Sequence, residues 1–358
     1  MSGGEECRVA FMWDDSFEQF DNGINHPVRR GRFRAVRDYL WDQGLLGNGH
    51  TLEIRAEPLP EELLRIVHTT DYIQMVRQIS ETGVGDIDID TPGFVGIYDT
   101  ARSLCGGTTT GVDAILNGEI DHFVSPTGGF HHAFPDHGGG FCVFNDIAAS
   151  VCLLQSRGVN RVLIVDLDVH HGNGIQHYFY DRSDVMYVSI HEDPEWMYPH
   201  SGRVEECGSG EGIGYTVNVP LPMDTGDSGY QYAFDQVVSP LMEFFQPEFI
   251  FMLPGFDTHF LDPLAHMVTT TSTVRYTTTK IHAAAHKFSD GRLAVVSGGG
   301  YHKDALRWGV ATVISVLAML PYSAPEESPS LMEDRETWDE IHSAVETVRN
   351  TVFTILGL

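Results

Sequence analysis

Asp166, Asp168 and His170 occupy alternate positions at the end of an apolar run, Val162–Val169, that reads as a buried strand. On a strand, side chains at i, i+2 and i+4 point to one side. Two carboxylates and an imidazole converging there need a cation to offset their repulsion and desolvation. Oxygen and nitrogen donors of this kind suit zinc, or iron or cobalt in its place. The plainer alternative is a helix-capping aspartate beside a satisfied histidine, and three such residues on one face argue against it. A second apolar run, Phe249–Leu253, leads through Gly255 to Asp257. Asp257 supplies the third ligand of a catalytic metal site that keeps one position open. Asp262, followed by Pro263, fits the start of a turn or helix.

Two further segments carry reactive groups. His131 and His132 stand together in a glycine-rich loop after the run His122–Ser125. They can handle protons if an acceptor orients each ring. After the run Leu293–Ser297, three glycines allow close backbone approach and place Tyr301 on a mobile loop. Neither GxGxxG nor a GKS/GKT sequence follows a strand, so nucleotide binding has little support.

The elements that must position these residues alternate along the chain. Apolar runs also occur at Arg8–Trp13, Leu52–Ala56, Val185–Ile190 and Tyr215–Leu221, and several are apolar on both faces. Helical spacing appears at Arg32–Leu40, Thr100–Leu116, Ile147–Gln155, Tyr230–Phe245 and Thr273–Phe288. Unbroken strand–helix alternation predicts one α/β domain over 1–358, with ligands at the C-terminal ends of parallel strands. Residues 322–336 are linker-like, rich in Pro, Ser and Glu. Beyond them Trp338, Ile341, Val345, Val348, Val352 and Ile355 recur at helical spacing, predicting a C-terminal helix over 337–358. That helix packs back on the body or serves a homo-oligomer interface.

Composition excludes several classes. With 22 Lys+Arg against 50 Asp+Glu, the net charge is −28 and the pI about 4.8. Such a surface repels phosphate, so no nucleic-acid partner is expected. The 5 cysteines include no CxxC pair, which favours a reducing compartment. The N-terminus lacks the basic and apolar regions of a signal peptide, and the apolar run Trp308–Leu320 is too short to span a bilayer. A cytoplasmic protein with no membrane partner is expected.

Taken together and in order, GGFHHAFPDHGGGFCVFND, VDLDVHHGNG, VMYVSIHE, YTVNVPLP, GFDTHFLDPL and GGGY resemble the zinc-dependent histone deacetylase superfamily, which includes acetoin-utilisation proteins and acetylpolyamine amidohydrolases. The resemblance runs from about Asn25 to about Tyr301. It implies an arginase-like three-layer α/β/α fold around an eight-stranded parallel sheet. It also implies one Zn2+ per chain held by Asp168, His170 and Asp257. The tandem catalytic histidines are then His131, paired with Asp166, and His132, paired with Asn173. Tyr301 polarises the scissile carbonyl. Gly140, Phe141 and Tyr198 line the acyl-lysine tunnel, Asp90 holds the substrate backbone at the rim, and Leu264 is the gatekeeper. Arg32 falls where an inner acetate-channel arginine is found. One or two structural K+ ions are implied. The first site matches Asp166, Asp168, His170, Ser189 and Ile190, and the second matches Phe179, Arg182, Val185 and Tyr215. Two positions depart from the usual pattern, Asn173 for aspartate and Phe256 for alanine.

The implied activity is removal of acetyl or other acyl groups from N6-acyl-lysine in peptides or proteins, releasing acetate. The alternative substrate is a small acetylated amine, as in an acetylpolyamine amidohydrolase. An acidic gatekeeper would attract a second ammonium, and Leu264 offers none, which favours acyl-lysine. A two-manganese arginase would need Asp at positions 172 and 259, where Gly172 and His259 stand. A non-catalytic acyl-lysine-binding module would have lost Tyr301, His132 or a ligand, and all are present.

Overall fold

The computed structural model describes residues 8–325 and 333–358. Ten strands occur in chain order: β1 Val9–Trp13, β2 Thr51–Arg55, β3 Asp86–Asp88, β4 Thr91–Pro92, β5 His122–Ser125, β6 Val162–Asp166, β7 Val185–Glu192, β8 Thr216–Leu221, β9 Phe249–Leu253 and β10 Leu293–Val296. Eight of them form one sheet in the order β2-β1-β5-β10-β9-β6-β7-β8, while β3 and β4 make a separate ribbon. Every pairing in the large sheet is parallel. Its strands are the eight apolar runs of the sequence.

The central strands β5, β6, β9 and β10 are buried at every residue, because helices flank the sheet and their side chains are apolar in both directions. At the outer edge β2 carries Glu53 and Arg55, charged residues that discourage pairing with another sheet. The register places Val124, Val295, Met252 and Val165 in one row across four adjacent strands. Each strand ends one residue later, so four loops from distant parts of the chain leave the sheet side by side.

One strand stops earlier than its apolar pattern suggests. The expected strand Val162–Val169 ends at Asp166. Opposite, β9 runs out at Leu253 and Pro254 follows; proline has no N–H to continue the ladder. Asp168 and His170 therefore sit in the turn beyond the strand, and the three alternate side chains do not share one strand face.

At the C-terminus, Asp334 caps a helix over Arg335–Val348, which runs through a π turn at Arg349–Phe353 into Thr354–Leu356. Ile341, Val345 and Val348 are fully buried on the helix Arg335–Val348, which packs on β8 and the helix Asp227–Ala233, and Val352 in the π turn is fully buried as well. Ile355 is 44% exposed, because the wider π turn rotates the apolar stripe away from the body before that residue. Of the linker-like stretch 322–336, residues 326–332 lie outside the described residues. Among the described residues no helix is long and apolar enough to cross a membrane.

Phe256, one of the two unusual positions, is 2% exposed and lies against the helix Lys303–Leu317. A Cβ at Gly309 of that helix would collide with the Phe256 ring, so the large side chain is accommodated by a missing one.

Candidate active site

The four loops converge on a cavity whose walls include His131, His132, Phe141, Asp168, Arg32 and Tyr301. At its base His170 Nδ1 lies 2.9 Å from Asp168 Oδ1 and 3.4 Å from Asp257 Oδ2. Donor atoms from all three residues lie within 4.8 Å of one another, and all three are buried. Asp257 Oδ1 accepts from the Val169 N–H (3.1 Å), but Oδ2 is buried with no hydrogen-bond partner. A buried carboxylate oxygen that accepts no hydrogen bond carries a desolvation cost, which a cation would relieve. Among the described residues, only histidines form ion pairs with Asp168 and Asp257. Burial disfavours charge on His170, yet the two carboxylates outweigh it and push its pKa up to about 10. The donor set suits a divalent metal. The neighbouring backbone is shaped for it as well, since a Cβ at Gly299 would collide with the carboxylates of both Asp168 and Asp257.

Asp166 faces elsewhere. Its Oδ2 lies 2.9 Å from His131 Nδ1 and accepts from the Tyr187 hydroxyl at 2.9 Å. His132 Nδ1 lies 2.8 Å from Asn173 Oδ1, which also accepts the Gly174 N–H at 3.1 Å. Because Asn173 Oδ1 is an acceptor, His132 Nδ1 carries the proton and its Nε2 keeps a lone pair. The two imidazoles stand 4.1 Å apart and have opposite environments. Burial lowers the pKa of both, but Asp166 and Asp168 outweigh it at His131, whose pKa is raised. At His132 nothing does: burial, His131 and His170 together hold it well below the usual imidazole range.

Tyr301 is not on a free loop. Its backbone N–H donates to Asp262 Oδ2 at 2.6 Å, and the same oxygen receives the His302 N–H at 3.3 Å. Asp262 Oδ1 accepts from Leu264 N–H at 2.9 Å, so Asp262 does form a turn, but the next helix begins only at Thr271. Burial raises the Tyr301 phenol well above its ordinary pKa, and Asp257 and Asp168 add to it, so the hydroxyl stays protonated. Its ring lies 5.8 Å from Phe141, with the Arg32 guanidinium 5.6 Å away over its face. Arg32 also donates to the Gly298 carbonyl at 3.1 Å.

Of the remaining expected residues, some border this centre and others lie at the start of β7. Gly140 packs on the His132 ring, and Tyr198 stands 5.0 Å from that ring. Asp90 is at the tip of the β3–β4 ribbon, where its Oδ1 accepts from the Thr91 hydroxyl and Thr91 Oγ1 accepts the Phe141 N–H. Leu264 is 41% exposed. Ser189 pairs with Asp166 across β6 and β7, with Ile190 next to it. Phe179, Arg182 and Val185 lead into the start of β7, and the Tyr215 carbonyl accepts from Tyr187 N–H there.

Sequence reasoning missed two supports. Asp146, fully buried, accepts N–H bonds from Gly129 (2.9 Å) and Phe130 (2.8 Å) and so fixes the loop that presents His131 and His132. Its signal was an acid in the first turn of a buried helix. The second is the bond from Asp262 to Tyr301 and His302, which spans loops far apart in sequence.

A family model for the histone deacetylase domain matches residues 26–317. A probable deacetylase of Archaeoglobus fulgidus is 34% identical over 348 residues, 96% of this chain and 95% of that protein. A histone deacetylase-like amidohydrolase of Pseudomonas aeruginosa is 39% identical over 298 residues, 82% of this chain and 76% of the relative. The crystal structure of the HDA15 HD domain superposes with a TM-score of 0.85 at 29% identity, covering 97% of this chain and 96% of that one. The fold is therefore the arginase-like α/β fold expected, and the Asp-His-Asp cluster, the paired histidines and the tyrosine meet beyond the C-terminal ends of its central strands. The chain belongs to the histone deacetylase family and is a hydrolase of amide bonds.

Proposed function

We propose that the protein is a zinc-dependent deacylase that cleaves N6-acyl-lysine side chains of peptides or proteins and releases acetate. The observation that carries this reading is the pair of histidines with opposed environments beside a buried Asp-His-Asp cluster. Asp168, His170 and Asp257 would hold one zinc ion. When bound, zinc lowers the pKa of a water from ~15.7 to ~7 and polarises a carbonyl.

The chain's own groups do the rest. Neutral His132, with the lone pair of Nε2 available, accepts the proton of the attacking water. His131, whose imidazolium form the Asp166 carboxylate favours, gives a proton to the leaving lysine amine. Tyr301, held protonated, donates to the oxygen that gains negative charge, a contact typically worth ~3–4 kcal/mol. Phe141 and Tyr198 admit a slender acyl-aminoalkyl chain, and Asp90 holds the substrate backbone. Arg32 places positive charge where a carboxylate product forms. Structural K+ at Asp166, Asp168, His170, Ser189 and Ile190, and at Phe179, Arg182, Val185 and Tyr215, would brace the loops after β6 and before β7.

Leu264 favours peptide over polyamine, since it gives a second ammonium nothing to offset desolvation. Comparing kcat/KM for an acetyl-lysine peptide and N8-acetylspermidine tests this. We expect the peptide to be preferred at least ~10-fold, ~1.4 kcal/mol. A tenfold preference for the polyamine would overturn the substrate assignment.

Asn173 makes a second prediction. Asn173→Asp puts a negative charge on His132 Nδ1–H, which favours the imidazolium and raises the pKa of the base. Activity requires that base to be neutral, so the acidic limb of the kcat/KM profile should move to higher pH. An unmoved limb would show that Asn173 does not tune His132.

A further inference from the structure

A second set of nitrogen donors lies at the opposite end of the sheet. His122 is the first residue of β5, at the end away from the active-site loops. His282 and His286 are one turn apart on the helix Thr271–Phe288 and face it. His282 Nε2 lies 3.0 Å from His122 Nε2 and also 3.0 Å from His286 Nε2. The three rings meet edge to face, with centroids 4.7, 5.1 and 4.6 Å apart.

Hydrogen bonding alone serves this arrangement poorly. An imidazole nitrogen is either an N–H donor or a single lone pair. If His282 Nε2 carries a proton, it can donate well to one neighbour and presents a proton to the other. If it carries none, one lone pair must serve two donors. A cation at the centre uses one lone pair from each ring. Tetrahedral zinc with bonds of ~2.0–2.1 Å needs nitrogens about 3.3 Å apart. The two measured separations are close to that, and donor atoms of all three residues fall within 4.8 Å of one another. Two of the rings, His122 and His282, also favour the neutral form that a metal takes up. Burial lowers His122 to about 3, with the two neighbouring histidines adding to it, and burial with His286 lowers His282 to about 4.

We propose that His122, His282 and His286 form a second divalent-metal site, for zinc, separate from the catalytic centre. His122 is buried and His286 exposed, so the fourth position opens to solvent. An ion there ties the start of a central strand to the last turns of the helix leading toward β10. Its role is stabilisation.

The test is metal analysis after dialysis against zinc(II), with the melting temperature measured alongside. The double variant His282→Ala/His286→Ala should bind about one equivalent less zinc than wild type while keeping its amide hydrolysis. Asp168→Ala, which removes a ligand of the other site, should still bind zinc and gain thermal stability from it. That gain should vanish when His286→Ala is added. Because His286 is exposed, the single change His286→Ala keeps the fold and should weaken zinc binding at this site at least ~10-fold. Unchanged zinc content in the double variant, or unchanged affinity in His286→Ala, overturns the proposal. Since the readout is zinc lost with the histidines, failure of the catalytic assignment would show separately, as zinc retained at the other site by Asp168→Ala.

Discussion

Asp168→Ala is expected to yield a folded protein that hydrolyses no acetyl-lysine and holds no zinc beside Asp257. Asp168 Oδ1 is the partner of His170 Nδ1 at 2.9 Å and of the His170 N–H at 3.0 Å, so its removal frees the ring that should be the second ligand. Losing those hydrogen bonds costs ~1–3 kcal/mol. Part of this is offset, because Asp257 no longer faces a second buried carboxylate, the repulsion that with burial raises its pKa. The fold should survive and the metal should not. Metal analysis of the variant, read together with the His122–His282–His286 site, checks the result: zinc retained beside Asp257 would refute the ligand assignment. Chelator treatment of wild type should abolish activity in the same way, and zinc should restore it.

Tyr301→Phe should lower kcat by ~10²–10³ and leave KM and the melting temperature nearly unchanged. The loop is held by the Tyr301 backbone N–H bonded to Asp262, and the ring by Phe141 and Arg32, none of which needs the hydroxyl. What is lost is one hydrogen bond, made when the carbonyl oxygen becomes negative. A variant with unchanged kcat would mean that Tyr301 only lines the cavity. A variant whose KM rises with kcat intact would mean that the hydroxyl binds the ground state.

The strands were legible because β5, β6, β9 and β10 are apolar on both faces, a pattern local to each segment. The residues following them were legible by type, since aspartate and histidine directly after a buried strand have no structural reason to be there. Direction was harder. Alternation placed Asp166 with Asp168 and His170, whereas the strand ends at Asp166, which meets His131 and Tyr187, and Asp168 and His170 lie in the turn beyond it. Asp146 and Asp262 were invisible as supports because their partners are backbone N–H groups, which every residue carries. The histidine cluster was half visible, as two histidines one helical turn apart, but nothing in the sequence brings His122 to them. Such pairings depend on the sheet order β5-β10-β9, which places the helix before β10 over the start of β5.

Asp262 has a bearing on how this enzyme can change. One oxygen of its carboxylate fixes the turn that presents Leu264, and the other fixes the backbone of Tyr301 and His302. On the proposed function, selectivity at Leu264 and turnover at Tyr301 would both hang from a single hinge pin. A substitution that re-aims position 264 by moving its backbone will drag on the same pin and cost speed. New substrate preferences are open to this chain chiefly through side-chain swaps that leave the turn in place.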